Sequence, residues 1–541
     1  MSRREAVLSA GLVFVVALLI RAWFAPQIEF PKPEDTAYYF GVARNLVEGH
    51  GLVSDALWSY QTPPLVFPRP AFEVWLPLPT FLAAIPMALF GTTFGSAQVA
   101  AVLVGAVVPV LAWRIAADVA VERGLPGGRA RTLALGTGLT SAVYLPLVLH
   151  SALPDSTMPF AALALGACLL MSRVAGDPRG LRAGDPRVVG LGALIGLAAL
   201  TRNEAIWLGL AWAILALGIP AADRSARIRA IASAGLVALV VFAPWMVRDW
   251  LVFGSPLPGQ AAANALSVTG FDIFAWHDPP TLARYLAVGP ARLLEMRGEG
   301  ISHNLLSVLL IPGVPLSVIG LIALPWQSRD RALRPLVLVS VTTFLVTSLL
   351  FPVATTWGTF LHAAGPAHVL LVIAALLGLD AAIVRIGIYR GWTKPVAWLG
   401  ATLGIAGSIL FSAVLLPTFG GGSRDTAAQY EALANRMAAI GRPLDASAGP
   451  VISNFPIWLA DSQRIAALAL PNEPPADVLD LARTFEAHLL VLVGNEHGQW
   501  PGVLATGATD ADCFRELELG GAAGPDVDPL ADVHVYEIAC P

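Results

Sequence analysis

The chain has 541 residues, of which 56% are hydrophobic and 13% charged, with a mean hydropathy of +0.67. Soluble globular domains carry about a quarter charged residues, so this composition excludes an ordinary soluble enzyme and points to an integral membrane protein. The net charge of −4 is uneven: residues 421–541 hold 6 Arg and 17 Asp or Glu, net −11, which leaves the remainder at +7. Basic residues stand singly between apolar runs and form no patch, which excludes nucleic-acid binding.

The first apolar run, Val7 to Phe24, follows Ser2-Arg3-Arg4 and shows no small-residue cleavage site before Pro26. It reads as a retained membrane helix whose N-terminus is cytoplasmic by the positive-inside rule. The stretch Phe72 to Phe90 is also apolar but carries Glu73, Pro77, Pro79 and Pro86. If it crossed, the loop holding Arg123, Arg129 and Arg131 would fall outside, so it is expected to lie on the outer surface within a first external loop of about 25–95.

A second span at 96–117 follows, then a hairpin of 132–149 and 157–172 between basic flanks that include Arg173, Arg179 and Arg187. Its turn, His150 to Ser156, therefore faces outward. The run from Val188 to Pro220 has 33 residues, roughly 50 Å as one helix against a hydrocarbon core of about 30 Å. Arg187 before it and Arg224, Arg227 and Arg229 after it require an even number of crossings. A hairpin turning at Thr201-Arg202-Asn203-Glu204 meets both conditions and leaves Arg202 below the outer surface, in a cavity.

Residues 230–247 cross outward to a second external loop of about 249–302 with few clear periodicities, and 303–324 return. A hairpin of 335–352 and 365–383 places His362 outside, and a last span at 395–416 carries the chain out. The count is eleven spans, with basic loops inside. The expected fold is thus a polytopic α-helical membrane domain over 1–420 and an extracytoplasmic α/β domain over 421–541. In that tail the patterning predicts helices at 424–440 and 475–486 and strands at 450–453, 465–470, 488–493, 513–518 and 533–538. Cys513 and Cys540 are either two separate thiols or, if the tail is outside the cytoplasm, a disulfide.

The same parity brings Glu34, Asp35, Asp155, Arg202, Glu204, Arg248, Asp249 and His362 to one face. Ionisable groups within a membrane cost roughly 2.5–3.5 kcal/mol each on insertion scales and so mark function. Glu34 and Asp35 offer a general base, or a cap for the helix that follows. Asp155 competes as an N-cap after Pro154, and Arg202 and Glu204 could pair with each other. Arg248 suits headgroup contact, or converges with Arg202 on a phosphate that guanidinium groups grip well. His362 is a structural polar residue or a site member. One acidic and one basic subsite at membrane level fit sugar transfer from a polyprenyl-phosphate donor to an acceptor hydroxyl, with arginine stabilising the departing phosphate.

The order of these motifs resembles the polytopic GT-C glycosyltransferases, particularly the bacterial protein mannosyltransferase and aminoarabinose lipid A transferase group. The resemblance rests on Glu34 to Tyr39, Ala43 to Gly51, Leu153-Pro154-Asp155, Ala199 to Glu204 and Pro244 to Asp249, and covers about residues 1–420. It implies Asp35 as the catalytic carboxylate, Asp155 as a second acidic site residue, Arg202 as a ligand of the lipid phosphate, and inversion at the anomeric carbon. Asp155-Ser156-Thr157 lacks the second acid that metal-dependent relatives place there, so a divalent metal is neither required nor excluded. The partners implied are a lipid-linked sugar, a protein, lipid or glycan acceptor, and the lipids of the cell membrane. A polytopic lipid or solute transporter or flippase is the alternative, disfavoured because the polar residues gather on one face and no matched pair of broken segments is present.

Overall fold

The computed structural model describes residues 2–177, 181–182, 184–219, 222–392, 396–520 and 528–540. Arg179, Pro220 and Pro395, which bound three of the segments above, lie outside the described residues.

Among the described residues six helices are long and apolar enough to cross a membrane: Arg3–Gln27, Phe94–Glu122, Thr157–Ala175, Arg224–Phe253, Gly365–Tyr389 and Ala397–Ala439. Two bent pairs raise the number to eight, Gly127–Val143 with Leu145–Ala152 at 58° and Gly289–Gly313 with Leu316–Gln327 at 115°. The other three predicted spans coincide with the shorter helices Pro186–Ala199, Asn203–Leu217 and Arg334–Leu350. Leu78–Phe90 is a 13-residue helix, about 20 Å long by the α-helical rise and too short to cross alone.

The run within 188–220 is broken at the expected turn into the helices Pro186–Ala199 and Ile206–Leu217. Gly192 and Gly196 let its first arm meet the helix Arg224–Phe253 closely, since a Cβ on Gly192 would lie 2.5 Å from the Ala234 carbonyl oxygen. The 58° bend follows Val143, where Pro146 lacks an N–H. Arg21, buried in the first helix, donates to the carbonyls of Ala142 and Leu147 at 3.0 and 3.3 Å and to Ser151 Oγ at 2.9 Å, fixing the bend.

Two segments differ from expectation. The span predicted at 303–324 is broken: helix Gly289–Ser302 runs into π-helical turns His303–Leu310, and Pro312 and Pro315 then remove donors where the chain turns. The second is the last span, which together with the predicted tail helix at 424–440 forms one 43-residue helix, Ala397–Ala439, so that residue 420 lies inside it. Pro417 removes one ladder bond without stopping the helix. At Gly420 the absent Cβ lets the loop after the first helix approach, since a Cβ there would sit 3.2 Å from the Gln27 carbonyl oxygen. Ser423 Oγ accepts from the backbone N–H groups of Glu29 and Phe30 at 3.0 and 2.8 Å, tying that loop to the last helix.

The strands are β1 Val53–Ser54, β2 Ala56–Leu57, β3 Arg69–Pro70, β4 Val451–Ser453, β5 Ala467–Ala469, β6 Leu489–Val493, β7 Phe514–Glu516 and β8 Val533–Ile538. β1 and β3 form an antiparallel pair, and the rest form one sheet in the order β2-β5-β4-β6-β8-β7. β2, β5, β4 and β6 run parallel, with Ala56 opposite Ala467 and Ile452 opposite Leu490, while β8 is antiparallel to both β6 and β7. The tail sheet therefore takes its edge strand from the first loop, and one apolar core spans Tyr38, Leu57, Phe72, Leu468 and Leu490. Cys513 and Cys540, at the β7 end of the sheet, are joined in a disulfide.

Candidate active site

The helix Glu34–Val47 starts after Pro33 and carries both acids in its first turn, where the positive end of the helix dipole favours them. Its body is buried under the tail, which fixes the direction in which the two carboxylates diverge. Asp35 opens on a cavity of about 700 Å³ enclosed by the first loop, the 201–204 turn, the second loop, the 351–362 segment and tail residues Phe455 to Trp458. Arg202, Glu204, Glu34 and His362 line the same cavity.

His362, in the short helix Thr359–Ala363, ties the two predicted acids together. Its Nε2 lies 3.2 Å from Asp35 Oδ2, while its Nδ1 lies 2.8 Å from Thr157 Oγ1 and 3.6 Å from Asp155 Oδ2. Burial first, and the Arg202 charge second, push the imidazole down to about 3, so it is neutral. A neutral imidazole donates from one nitrogen. Donation from Nε2 to Asp35, with the Thr157 hydroxyl donating to Nδ1, satisfies both contacts. Asp155 does not line the cavity; fully buried, it accepts from the Thr157 N–H at 2.8 Å and supports the ring from behind. Burial raises its carboxyl to about 7, against the hydrogen bonds from Thr157.

The structure separates Glu34 from its neighbour. Glu34 turns toward the tail, where Oε1 accepts from the Ile457 N–H at 3.1 Å, and burial raises its carboxyl to about 8. Its protonated form is thereby favoured, which argues against it as the base. Asp35 leaves 24% of its side chain open to the cavity, yet protein surrounds it, and its carboxyl is also raised by burial. There the Arg202 charge and the Trp75 indole N–H oppose the rise.

Arg202 is committed more fully than its sequence suggests. Nε and Nη2 donate to the Glu204 carboxylate at 3.1 and 2.9 Å, Nη1 to Ser156 Oγ at 2.8 Å, and Nη2 to the Thr359 carbonyl at 3.2 Å. Of five N–H donors, one on Nη1 is left for a ligand. The expected convergence of Arg202 with Arg248 is absent. Arg248 does not line the cavity; it pairs with Asp249 at 2.9 Å and lies over the rings of Trp245 and Phe253 at 4.8 and 5.2 Å. The helix continues to Phe253, and neighbouring residues on a helix point about 100° apart, so Asp249 faces the cavity and Arg248 does not.

Trp75, Thr157 and the tail residues at the cavity were missed from sequence. The only signal for Trp75 was an indole in a loop already assigned to the outer face. Among the described residues no group of three His, Cys, Asp or Glu side chains assembles as a metal site. Asp35 and Asp155 contact opposite nitrogens of one ring, so the acids present do not fit a shared divalent cation.

Fold and site together define a polytopic helical protein with a charged cavity at one end of its bundle, capped by an α/β sheet that the first loop completes. A family model for dolichyl-phosphate-mannose-protein mannosyltransferases matches residues 69–247. The fold is similar to that of ArnT from Cupriavidus metallidurans bound to undecaprenyl phosphate, with a TM-score of 0.58, 13% identity and all of both chains covered. It is also similar to ArnT in the apo state, with a TM-score of 0.55, 14% identity, 99% of this chain and 100% of that one. The archaeal oligosaccharyltransferase AglB from Archaeoglobus fulgidus aligns with a TM-score of 0.49 at 12% identity, over 90% of this chain and 69% of that one. No curated protein matches by sequence. The family-model match covers 179 of the 541 residues, and over the whole chain the likeness to ArnT is one of fold.

Proposed function

We propose that the protein transfers a sugar from a polyprenyl-phosphate-linked donor to an acceptor hydroxyl on the extracytoplasmic face of the membrane, with inversion. The observation that carries this reading is the opening of Asp35 and Arg202 onto one cavity at the end of the helical bundle. About 700 Å³ lies within the roughly 300–1,000 Å³ of small-molecule sites. Asp35 takes the proton of the acceptor hydroxyl as its oxygen attacks the anomeric carbon. The bond from that carbon to the phosphate oxygen breaks, and the remaining Arg202 N–H and its charge stabilise the departing phosphate. The ArnT neighbour was solved with undecaprenyl phosphate, which supports a lipid phosphate as the leaving group. The Cys513–Cys540 disulfide supports an oxidising compartment for the tail.

Membranes containing wild type or Asp35→Asn, supplied with polyprenyl-phosphate sugars, test the assignment. Sugar transfer by wild type and its loss in a stably inserted variant are expected. Undiminished transfer by the variant removes Asp35 as the base. Sugar-independent movement of lipid across the membrane by wild type would favour the flippase reading.

A further inference from the structure

Behind His362 two buried atoms face each other with nothing between them. Asp155 Oδ2 and His150 Nδ1 lie 4.0 Å apart, and neither has a hydrogen-bond partner among the described residues. Asp155 is 1% exposed and His150 8%. The local chain holds them there: the Asp155 N–H donates to the Leu153 carbonyl at 2.8 Å, and Oδ1 accepts from the Thr157 N–H at 2.8 Å, which turns Oδ2 inward. The other nitrogen beside Oδ2 is His362 Nδ1 at 3.6 Å, and that atom already meets the Thr157 hydroxyl.

Buried polar atoms are nearly always satisfied, and leaving a charged one unsatisfied costs most. One proton on Asp155 Oδ2 converts both unsatisfied atoms into a single O–H···N bond once the pair closes by about 1 Å. A proton on His150 Nδ1 would close the same gap but leave an ionised carboxylate 3.6 Å from the lone pair of His362 Nδ1, with the Asp35 charge beyond the ring. The charged and titratable groups around Asp155 are His150, His362, Asp35 and Tyr39, with Arg202 reaching it through Ser156 and Arg21 and His368 behind His150. Arg202 is engaged by Glu204, and Arg21 donates to Ser151 Oγ, so neither guanidinium bonds the Asp155 carboxyl.

We propose that Asp155 works as a neutral carboxylic acid that donates to His150, and that this proton keeps His362 in the tautomer whose Nε2–H reaches Asp35. Asp155 and His150 are positioning residues, and the inference rests on the transferase reading above. A neutral imidazole has one N–H. While Asp155 is protonated, that N–H belongs to Asp35 alone and stabilises the base in its ionised form. When Asp155 loses its proton to solvent, two carboxylates compete for the same N–H. Asp35 then faces a lone pair and a second negative charge, which raise its proton affinity and tie up the base.

Infrared spectroscopy and sugar transfer, on the purified full chain in lipid nanodiscs, test this with wild type, Asp155→Asn, Asp155→Ala and His150→Leu. Asn cannot ionise, yet it keeps a donor toward His150 and an oxygen for the Thr157 N–H. Burial sets the Asp155 carboxyl at about 7, so wild-type kcat/KM is expected to fall about tenfold from pH 6 to 8, while Asp155→Asn stays level over that interval. Asp155→Ala should lose about tenfold at pH 6, the scale of one hydrogen bond, and its rescue by Asn separates the bond from the charge. His150→Leu should move the fall about one pH unit lower, because the neutral acid loses its acceptor. The infrared difference between wild type and Asp155→Asn should show a protonated-carboxyl band at pH 6 that is gone at pH 8. Absence of that band, a loss in Asp155→Asn as deep as in Asp155→Ala, or a fall that His150→Leu leaves in place overturns the inference. The band is independent of catalysis: its presence without transfer by wild type from any polyprenyl-phosphate sugar would sink the transferase reading alone, and transfer without the band would sink this inference alone.

Discussion

The two ends of the bundle use charge differently. At one end Arg123 pairs with Asp330, Arg129 with Asp380, Arg131 with Glu5 and Arg173 with Asp118, joining the loops assigned to the cytoplasmic face. Most members of these pairs are part-exposed, and Asp118 is shared between Arg173 and Arg114. At the other end Asp35, Asp155, Arg202, Glu204 and Glu73 are largely enclosed, share neighbours, and include atoms with no partner. Exposed pairs contribute about 0–1 kcal/mol each, whereas buried charge is retained against a cost of several kcal/mol. The first set orders loops; the second holds reactive groups that folding alone would not keep.

The largest expected contrast is at Asp35. Asp35→Asn removes the carboxylate that opens on the cavity beside Arg202 and His362, and transfer should fall by about 10²–10⁴-fold, the range for general-base catalysis. Because the substitution also removes a buried charge, thermal unfolding in detergent should show no loss of stability. A variant that loses activity and stability together would point to a structural role.

Arg202 gives the next largest effect. Arg202→Gln leaves the Glu204 carboxylate buried and unpaired, which should cost about 3–5 kcal/mol. Adding Glu204→Gln should recover most of that stability while leaving weak binding of undecaprenyl phosphate. Recovery of both stability and binding in the double variant would show that Arg202 serves only its partner. At the opposite face Arg173→Ala should shift unfolding by about 0–1 kcal/mol, and a larger change would break the contrast between the two ends.

What was legible in the sequence follows this division. The break within 188–220 was readable because a run of 33 residues between basic flanks is too long for one crossing and must cross evenly. The common face of Asp35, Asp155, Arg202 and His362 followed from the same parity. Contacts decided late by packing were not readable. Two residues of β2 join a sheet formed some 400 positions later, and no local period marks so short a strand. The last span was read as ending at 416, yet the helix persists through Pro417, with Gly420 and Ser423 as contact points for the first loop. Of the two readings of Arg248, the one beside Trp245 rather than the one with Arg202 matches its contacts, and the insertion of His362 between two acids required three distant segments.

The smallest expected effect separates two neighbours that sequence alone left equal. Below pH 8 Glu34 carries a proton, because burial raises its carboxyl to about 8. Gln is then close to it in charge and shape and can still accept from the Ile457 N–H. Glu34→Gln should therefore transfer sugar within about twofold of wild type at pH 7, far from the loss expected for a general base. As pH rises through 8, wild-type Glu34 ionises next to Asp35 and raises its proton affinity, while the variant gains no charge. The ratio of kcat/KM for the two proteins, followed from pH 6 to 9.5, should stay flat and then change only on the alkaline side. A large deficit at pH 7 would mean that Glu34 is ionised in the working enzyme, and the choice of Asp35 as base would lose its physical ground.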